Sequence, residues 1–316
     1  ITGGSGFIGS HLIEKISIIH PESNIYVLDS FGKEFNFLKT YGSYKNINKG
    51  TIVPLASDIR YCSEIVKKFA KEVNIIYHLA AISDTTTTDE HEVLDINFNS
   101  FNEIIKLSDH YSCPIIYASS GAVYGNQTKK YNSIGTEMPN NIYGFSKLGL
   151  DNFSKTLNFK TRLGNKIIGL RFFNVYAGNE KLKGKSASMI YQLAHQLKYQ
   201  NKCKLFEKSN KIYRDFIFID DITNVLLKAN KLKGGIYNVG TGKIRTFLDV
   251  ANILSKIIHK RNIPRVKYIK NPYEERYQFL TRAPFDKTNA LFQLKMDPIS
   301  LEEGIERFYN KFKNKL

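Results

Sequence analysis

Short apolar runs alternate with amphipathic stretches along the first half of the chain. Five of these runs are predicted as buried β-strands, at residues 25–29, 51–54, 75–79, 114–119 and 166–171. Between them, apolar positions recur near helical spacing over 62–72 and 90–110, and an amphipathic segment covers 11–18. This alternation predicts an α/β fold in which helices cover a parallel sheet.

From about residue 175 the alternation of apolar runs and amphipathic stretches is less regular. A loop rich in Lys, Gly and Ser at 178–185 leads into a helix predicted near 187–199. A strand at 213–219, a glycine turn at 240–242, a helix near 246–258 and a last helix from Ser300 follow. We expect one domain at 1–174 and a smaller lobe at 175–316, with segments that can be exchanged between the two.

Composition excludes several classes of protein. A chain of 316 residues can bury a full core without disulfide bonds or metal ions to hold it together. The three cysteines are odd in number and widely spaced, which excludes a disulfide scaffold or a zinc ribbon. No histidine pair has metal-binding spacing, so no metal is expected. No apolar run reaches the roughly 18 residues of a membrane span, which favours a cytoplasmic protein.

The formal charge of +17 is spread along the chain and forms no dense block beyond Lys311, Lys313 and Lys315. No nucleic-acid-binding motif accompanies it, so no nucleic-acid partner is expected. Two explanations stay open: a compositional bias of the source organism, and a positive field that attracts a small anionic substrate.

Glycines at positions 3, 6 and 9 follow the end of a predicted strand and precede an amphipathic segment. This spacing suits a turn whose backbone N–H groups approach a pyrophosphate. The next strand ends in Asp29, where a carboxylate binds an adenosine ribose, and Asp58 and Ile59 follow the third strand, beside the expected adenine pocket. The pattern predicts dinucleotide binding, and the charge of Asp29 favours NAD over a 2′-phosphorylated cofactor.

Tyr143 and Lys147 are four positions apart, so on a helix they share one face, and the ammonium is expected to lower the pKa of the phenol. The pairs Tyr41/Lys45 and Tyr309/Lys313 have the same spacing, but only Tyr143 follows a predicted strand and a Ser119-Ser120 pair. A Ser–Tyr–Lys set suits hydride transfer at a carbinol: Tyr143 moves the hydroxyl proton, Ser120 holds the oxygen and Lys147 tunes the tyrosine.

At these residues the chain resembles the extended short-chain dehydrogenase/reductase superfamily, the nucleotide-sugar epimerases and dehydratases, over essentially its full length. The resemblance rests on 3–9, 78–81, 119–125, Tyr143 with Lys147, and 171–176. It implies a Rossmann doubly wound parallel sheet, with helices on both faces and a smaller C-terminal α/β substrate lobe. The 4,6-dehydratases match poorly, because Gly121-Ala122 offers no acid after the catalytic serine.

A more specific resemblance rests on residues 82–87 and on four segments of the second half, 183–189, 205–209, 214–216 and 276–281. These segments are similar to one group in that superfamily, the ADP-glycero-manno-heptose 6-epimerases, which act in lipopolysaccharide inner-core synthesis. The resemblance implies two catalytic bases, Tyr143 and Lys183, and a homo-oligomer is expected. It also favours NADP, aided by a lysine for which Lys33 and Lys39 are candidates.

Taken together, the predicted cofactor-binding residues are Gly3, Gly6, Phe7, Ile8, Gly9, Asp29, Ser30, Lys33, Asp58, Ile59, Leu79, Ala80, Ala81, Ser83, Tyr143, Lys147 and Val175. The predicted substrate-binding residues are Ser120, Asn174, Lys185, Gln192, Phe206, Glu207, Lys208, Ser209, Arg214 and Tyr277.

The match to the heptose epimerases has departures. Lys208 and Ala177 stand where that group has glycine, and Lys185 and Gln192 stand where close relatives have Ser and His. Another nucleotide-sugar 4-epimerase or 4-reductase is therefore an alternative; a 4-epimerase needs one tyrosine base and leaves Lys183 without a role. A non-catalytic NAD(P)-binding protein is the other alternative, and the intact Ser–Tyr–Lys set argues against it.

Overall fold

The computed structural model describes residues 1–31, 49–85, 87–126, 131–160, 166–178, 180–271 and 278–314. Its contacts divide the chain into two compact units. Unit 1 consists of residues 1–123, 141–171 and 223–237, and unit 2 of 124–140, 172–222 and 238–316. Each unit thus draws on three separate stretches of sequence.

The strands are β1 (Ile25–Asp29), β2 (Ile52–Ala56), β3 (Ile76–His78), β4 (Ile115–Ser120), β5 (Ile167–Phe172), β6 (Asn174–Tyr176), β7 (Cys203–Phe206), β8 (Tyr213–Phe218), β9 (Gly235–Val239), β10 (Ile244–Thr246) and β11 (Val266–Ile269). The α-helices are α1 (Phe7–Ile19), α2 (Cys62–Phe69), α3 (Glu90–Leu94), α4 (Phe101–Tyr111), α5 (Ile142–Lys160), α6 (Met189–Gln200), α7 (Ile219–Lys228), α8 (Phe247–His259), α9 (Ala290–Gln293) and α10 (Leu301–Phe312).

The sheet of unit 1 has Thr2 at its centre. Thr2 forms parallel bridges with Leu28 on β1 and with His78 on β3. β1 pairs in parallel with β2 on one side, and β3, β4, β5 and β9 follow in that order on the other. Counted along the chain from Thr2, the spatial order is third, second, first, fourth, fifth, sixth and seventh, the doubly wound arrangement. The predicted fold class is therefore confirmed.

The order of strands reverses between Thr2 and β3. In open α/β sheets, ligands bind in the crevice outside the carboxyl ends of the strands at such a switch point. The chain segments that leave the sheet there are the glycine loop after Thr2 and residues 79–83 after β3. These are the two loops in which the sequence predicts the cofactor.

Helices α2, α4 and α5 cover this sheet, because their apolar faces join one hydrophobic core. Ile104 and Leu107 of α4, Val66 of α2 and Leu150 of α5 pack in it with the strand residue Ile115. Burial of such side chains contributes about 1.5–3 kcal/mol each, so the core fixes the helices that carry the site.

Unit 2 contains two small sheets. β8 lies between β6, with which it is parallel, and β10, with which it is antiparallel. β7 and β11 form a separate parallel pair, and α6 packs against α8. The predicted strand at 213–219 and the predicted helices near 187–199 and 246–258 correspond to β8, α6 and α8 and are confirmed within two residues at each end.

The predicted helix over 90–110 is wrong in one respect. The structure has α3, then a π-helical turn at Asp95–Asn99, and then α4. The side chain of Asn97, in the middle of the turn, is fully buried and bonds to the backbone of Ile82. A polar side chain directed inward in this way requires an extra residue in the turn, which no apolar periodicity reveals.

Among the described residues, no helix is long and apolar enough to cross a membrane. Cys62, Cys113 and Cys203 are buried and free. No group of three or more His, Cys, Asp or Glu side chains with metal-binding geometry occurs in the described ranges.

Candidate functional site

A glycine loop links Thr2 to α1. Gly3 has φ +67°, and a Cβ there would lie 2.6 Å from the backbone nitrogen of Ala80, so only glycine fits. A Cβ on Gly9 would lie 2.3 Å from the carbonyl oxygen of Gly3, so the helix can pack directly on the turn. Gly6 has no side chain with which to cap the 13-residue helix α1. The first turn of α1 thus directs its N–H groups and its positive dipole end towards the switch point.

Asp29 ends β1 beside this loop. Its Oδ2 accepts a hydrogen bond from the backbone N–H of Ser5 at 3.0 Å, and its Oδ1 accepts one from the N–H of Phe31 at 3.2 Å. Ser30 is exposed next to it. The carboxylate is therefore held against the glycine loop, where a dinucleotide-binding fold needs an acceptor for ribose hydroxyls.

The loop after β3 is joined to the same place by Thr2. The Oγ1 atom of Thr2 accepts hydrogen bonds from the N–H groups of Leu79 and Ala80, each at 3.2 Å. Both lone pairs are thus used, so the hydroxyl donates to Nδ1 of His78 at 2.9 Å. Residues 79–81 are half-buried and Ser83 is exposed. The structure brings this predicted cofactor stretch against the glycine loop.

Asp58 and Ile59 have more local roles. The carboxylate of Asp58 caps the 3₁₀ turn Ile59–Tyr61 and binds Arg60, with Oδ1 at 3.0 Å from Nε. That hydrogen bond lowers the pKa of Asp58. The Ile59 side chain is buried in the hydrophobic core of unit 1. Only a backbone contact of Ile59 with a ligand is therefore compatible with the packing.

Ser120, Tyr143 and Lys147 are brought together in unit 1. β4 ends at Ser120, whose Oγ accepts the N–H of Ala122 at 3.1 Å and shares a hydrogen bond with the hydroxyl of Tyr143. Tyr143 lies in the first turn of α5, and the Nζ of Lys147 lies 6.0 Å from the centroid of its ring. The predicted catalytic set is thus one hydrogen-bonded hydroxyl pair beside a buried ammonium.

The two titratable groups are perturbed by burial. Burial raises the pKa of Tyr143, and the hydrogen bond with Ser120 opposes this. Burial lowers the pKa of Lys147 to about 8, and the charge of Asp151 opposes that shift. The net direction for Tyr143 is opposite to the expectation from sequence, because desolvation of the phenol outweighs favourable interactions of its charged form.

Asp151 was not singled out from the sequence, although it follows Lys147 by four residues on the same helix face. Its side chain is completely buried, and its carboxylate accepts hydrogen bonds from Tyr117 (2.8 Å), Ser119 (3.0 Å) and the Nε of Arg171 (2.7 Å). This cluster fixes the end of β4 to α5. It thereby fixes the relative positions of Ser120 and Lys147, two residues of the predicted catalytic set.

Asn97 was also missed as a site residue. Its Oδ1 accepts the N–H of Ile82 at 2.8 Å, and its Nδ2 donates to the Ile82 carbonyl at 2.9 Å and to the Ser146 hydroxyl at 3.1 Å. Ser146 in turn donates to the carbonyl of Tyr143 at 2.8 Å. Asn97 therefore joins the predicted cofactor loop after β3 to the first turn of α5, which carries Tyr143.

In unit 2, β6 and the loop after it carry several predicted residues. Asn174 donates to the carbonyl of Asp215 at 3.1 Å and to the Thr281 hydroxyl at 2.8 Å, and Val175 is half-buried beside it. Lys183 lies in the 3₁₀ helix Lys181–Ser186 and forms an ion pair with Glu180.

Gln192 lies one turn into α6 and donates to the carbonyl of Ala187 at 2.7 Å. That hydrogen bond fixes the amide side chain against the end of the loop that carries Lys183. The predicted residues of this loop are thus held by neighbours in unit 2.

The segment 206–209 follows β7. Phe206 is half-buried, Glu207 and Lys208 are exposed, and Ser209 is buried. Lys208 has φ +61°, in the left-handed region that favours glycine. The resemblance places a glycine of the heptose epimerases at this position, and glycine adopts this conformation freely. Arg214 is buried, donates to the carbonyl of Tyr213 and lies 5.6 Å from the centroid of the Phe247 ring.

Four predicted or candidate residues lie outside what the structure describes: Lys33, Lys39, Tyr277 and the side chain of Lys185.

The glycine loop, Asp29 and the Thr2-bound loop fit a dinucleotide. A Cβ at Gly3 or Gly9 would fill the turn, the start of α1 offers N–H groups to an anion, and a carboxylate stands at the end of β1. When bound, such a group supplies a carbon that accepts and returns a hydride. The protein residues around it hold and move protons.

Known proteins match the whole chain. Residues 1–240 match the model of the NAD dependent epimerase/dehydratase family. ADP-L-glycero-D-manno-heptose-6-epimerase of Brachyspira hyodysenteriae is 30% identical, over 92% of this chain and 90% of that protein. The enzyme of the same name from Fusobacterium nucleatum is 31% identical, over 99% and 97%. The crystal structure of ADP-L-glycero-D-manno-heptose-6-epimerase from Helicobacter pylori has a TM-score of 0.85 at 32% identity, covering 99% of this chain and 95% of that chain.

Proposed function

We propose that this protein inverts C6 of ADP-glycero-manno-heptose. The chain belongs to the NAD dependent epimerase/dehydratase family and is an isomerase of the epimerase type. The observation that carries the chemistry is the Ser120–Tyr143 hydrogen bond beside the buried Lys147. The choice of sugar is supported by relatives of that name, which span nearly the whole chain.

Tyr143 is the first acid/base in this proposal. It takes the proton of the C6 hydroxyl as that carbon is oxidised, and Ser120 hydrogen-bonds the same oxygen. Lys147 stabilises the phenolate through its positive charge, and its buried position keeps that charge out of water. Asp151 and Asn97 hold these groups in place through the contacts described above.

Inversion of an exocyclic carbinol requires a second proton donor. The carbonyl formed at C6 must turn about the C5–C6 bond before reduction on its other face, so its oxygen points elsewhere in the second half of the reaction. A donor must lie within about 2.6–3.2 Å of the oxygen that it serves. One tyrosine on a fixed helix does not serve both positions, and we assign the second to Lys183.

The cofactor in this proposal is NADP, on the resemblance to the heptose epimerases, with NAD as the alternative that Asp29 favours by its charge. The product serves lipopolysaccharide inner-core synthesis, the protein is cytoplasmic and the chain forms a homo-oligomer. The alternative sugars are those of other nucleotide-sugar 4-epimerases or 4-reductases.

Incubation with each C6 epimer of ADP-heptose, followed by NMR of the C6 configuration, tests the proposal. Both epimers should reach the same equilibrium mixture. Recovery of unchanged substrate from an enzyme that contains its dinucleotide would contradict it.

The second base is tested by Lys183→Met, with Lys181→Met as the control from the same 3₁₀ helix. Lys183→Met should stop epimerisation and keep a half-reaction through Tyr143, whereas Lys181→Met should leave turnover largely intact. Parent-rate epimerisation by Lys183→Met would favour the one-base 4-epimerase.

A further inference from the structure

Glu180 is a buried carboxylate that the reaction scheme has not used. It directly precedes the 3₁₀ helix that carries Lys183, and its side chain is 0% exposed. Its Oε1 accepts the N–H of Ala177 at 3.2 Å and the hydroxyl of Ser188 at 2.7 Å, and its Oε2 accepts the N–H of Ser188 at 2.6 Å. Glu180 therefore ties together the residues on the two sides of the Lys183 loop.

The same carboxylate binds the proposed second base. The Nζ of Lys183 lies 3.2 Å from Oε2 of Glu180, and the Lys183 side chain is 29% exposed. A carboxylate removed from water is stable as an anion only when charged or polar partners compensate it. Tyr191 also faces it, and burial together with the charge of Glu180 raises the pKa of that phenol. Lys183 supplies a positive charge to this cluster.

The backbone around Lys183 forms a sharp turn. Gly184 has φ +52° and ψ −121°, so the chain changes direction just after Lys183, and no atom lies within 4 Å of a Cβ built there. Two backbone bonds flank the turn, from the N–H of Lys183 to the carbonyl of Glu180 and from the N–H of Ala187 to the carbonyl of Gly184. The contact with the carboxylate adds a fixed point at the far end of a long side chain, whose several rotatable bonds make its ordering costly.

We propose that Glu180 is a positioning residue for Lys183: it fixes the amine in one place, an inference that rests on the proposed function. Lys183 then begins as the proton donor. Its N–H bond breaks as the O–H bond at C6 forms, and the neutral amine regains a proton from water. In the reverse direction the ammonium first gives a proton to water, and the neutral amine then takes the proton of that hydroxyl as its O–H bond breaks.

The test compares Glu180→Gln with a matched control, Glu103→Gln. Glu103 also accepts hydrogen bonds from the N–H and the hydroxyl of one serine, Ser63, and binds a lysine three residues on, Lys106, at 2.6 Å. It lies on α4 among residues with no assigned catalytic or binding role. The two substitutions remove the same kind of carboxylate from the same kind of cluster.

Two measurements are made on the full-length enzyme with its dinucleotide. The first is the rate of epimerisation, which Glu180→Gln should lower roughly 100-fold, since misplacing a reacting group costs about that much. The second is the half-reaction through Tyr143, followed by the absorbance of the reduced dinucleotide. Glu180→Gln should keep this half-reaction at the parent rate, because the substitution removes a contact of Lys183.

In Glu103→Gln both epimerisation and the half-reaction should stay at the parent rate. Epimerisation by Glu180→Gln within threefold of the parent, or an equal loss of the half-reaction, would overturn the positioning role. Parent-rate epimerisation by Lys183→Met would instead remove the two-base proposal itself, so the two failures are distinguishable.

Glu180→Asp is the second variant if Glu180→Gln does not fold. It keeps the negative charge on a side chain shorter by one methylene, which does not reach both Ser188 and Lys183. Turnover should fall at least tenfold. Parent-rate turnover in Glu180→Asp would show that the carboxylate does not position the amine.

Discussion

A single hydroxyl on α5 has the largest predicted effect on activity. Tyr143→Phe removes the atom that exchanges the substrate proton and leaves the ring in place, so turnover should fall 10²–10⁴-fold while cofactor binding and thermal stability persist. Tyr309→Phe is the matched control, since Tyr309 and Lys313 repeat the same spacing on α10. Near-normal turnover by Tyr143→Phe would show that the tyrosine is not the acid/base.

Lys208 illustrates strain at one residue. Its φ of +61° is unfavourable for a side chain with a Cβ, by about 1–2 kcal/mol, whereas glycine adopts it freely at some cost in unfolded-state entropy. Lys208→Gly should therefore raise the free energy of unfolding by about 0.5–1 kcal/mol, measured by urea denaturation. Lys204→Gly, at an exposed position of strand β7, should lower it. Destabilisation of equal size in both variants would contradict the strain argument.

At the scale of elements, His78 gives β3 a pH dependence. Burial lowers the pKa of His78 to about 3 from the ordinary 6.5. Below pH 6.5 the imidazole is therefore protonated in the unfolded chain and neutral in the folded chain. The free energy of unfolding thus falls as pH decreases from 6.5 towards 3. Between pH 7.5 and pH 5 this residue should cost roughly 2 kcal/mol of unfolding free energy.

The test compares parent and His78→Gln in urea at both pH values, with His110→Gln, at an exposed position, as the control. Asp215 and Asp221 have the opposite effect on the pH dependence of the unfolding free energy, because burial raises the pKa of each carboxyl to about 6. The difference in unfolding free energy between the parent and His78→Gln isolates the contribution of His78. This difference should be smaller at pH 5 than at pH 7.5 by roughly 2 kcal/mol. A difference independent of pH would contradict the assignment.

Elements with their own apolar period were predictable from the sequence. β1 has the predicted bounds, and α2, α6 and α8 begin within two residues of theirs, because burial of one face sets both pattern and structure. β7 and β11 were missed, since each is four residues long and gains stability from a partner about sixty positions away. The π-helical turn at Asp95–Asn99 was missed because it serves the Asn97 side chain and not the core.

Some residues of the candidate site could also be predicted from the sequence, and others could not. The glycine spacing, Asp29 and the tyrosine–lysine spacing were predictable, since each chemistry requires one residue type at one separation. Asp151 and Glu180 do not, because buried carboxylates look like surface residues until their partners are known. The partners of Asp151 are spread from Tyr117 to Arg171, and no local pattern joins them.

At the scale of the whole molecule, the cofactor should remain with the enzyme. The proposed reaction oxidises and then reduces the same carbon, so the hydride that leaves this carbon must return to it. Release of the dinucleotide between the two half-reactions would leave an oxidised sugar behind. We expect the protein to co-purify with one nucleotide per chain. Denaturation followed by mass spectrometry of the released nucleotide identifies NAD or NADP, and absence of both would count against the epimerase.

The central place of Thr2 in the sheet affects the order in which the protein can fold during synthesis. Thr2 leaves the ribosome first among the sheet residues, yet its bridges to Leu28 and His78 require 26 and 76 further residues. The glycine loop, which depends on Ala80 to close its turn, waits as long. Pairings of such separation fold slowly, so the nascent chain keeps its nucleotide-binding loop unformed until β3 has emerged, and a dinucleotide is bound only after residues 1–80 have left the ribosome.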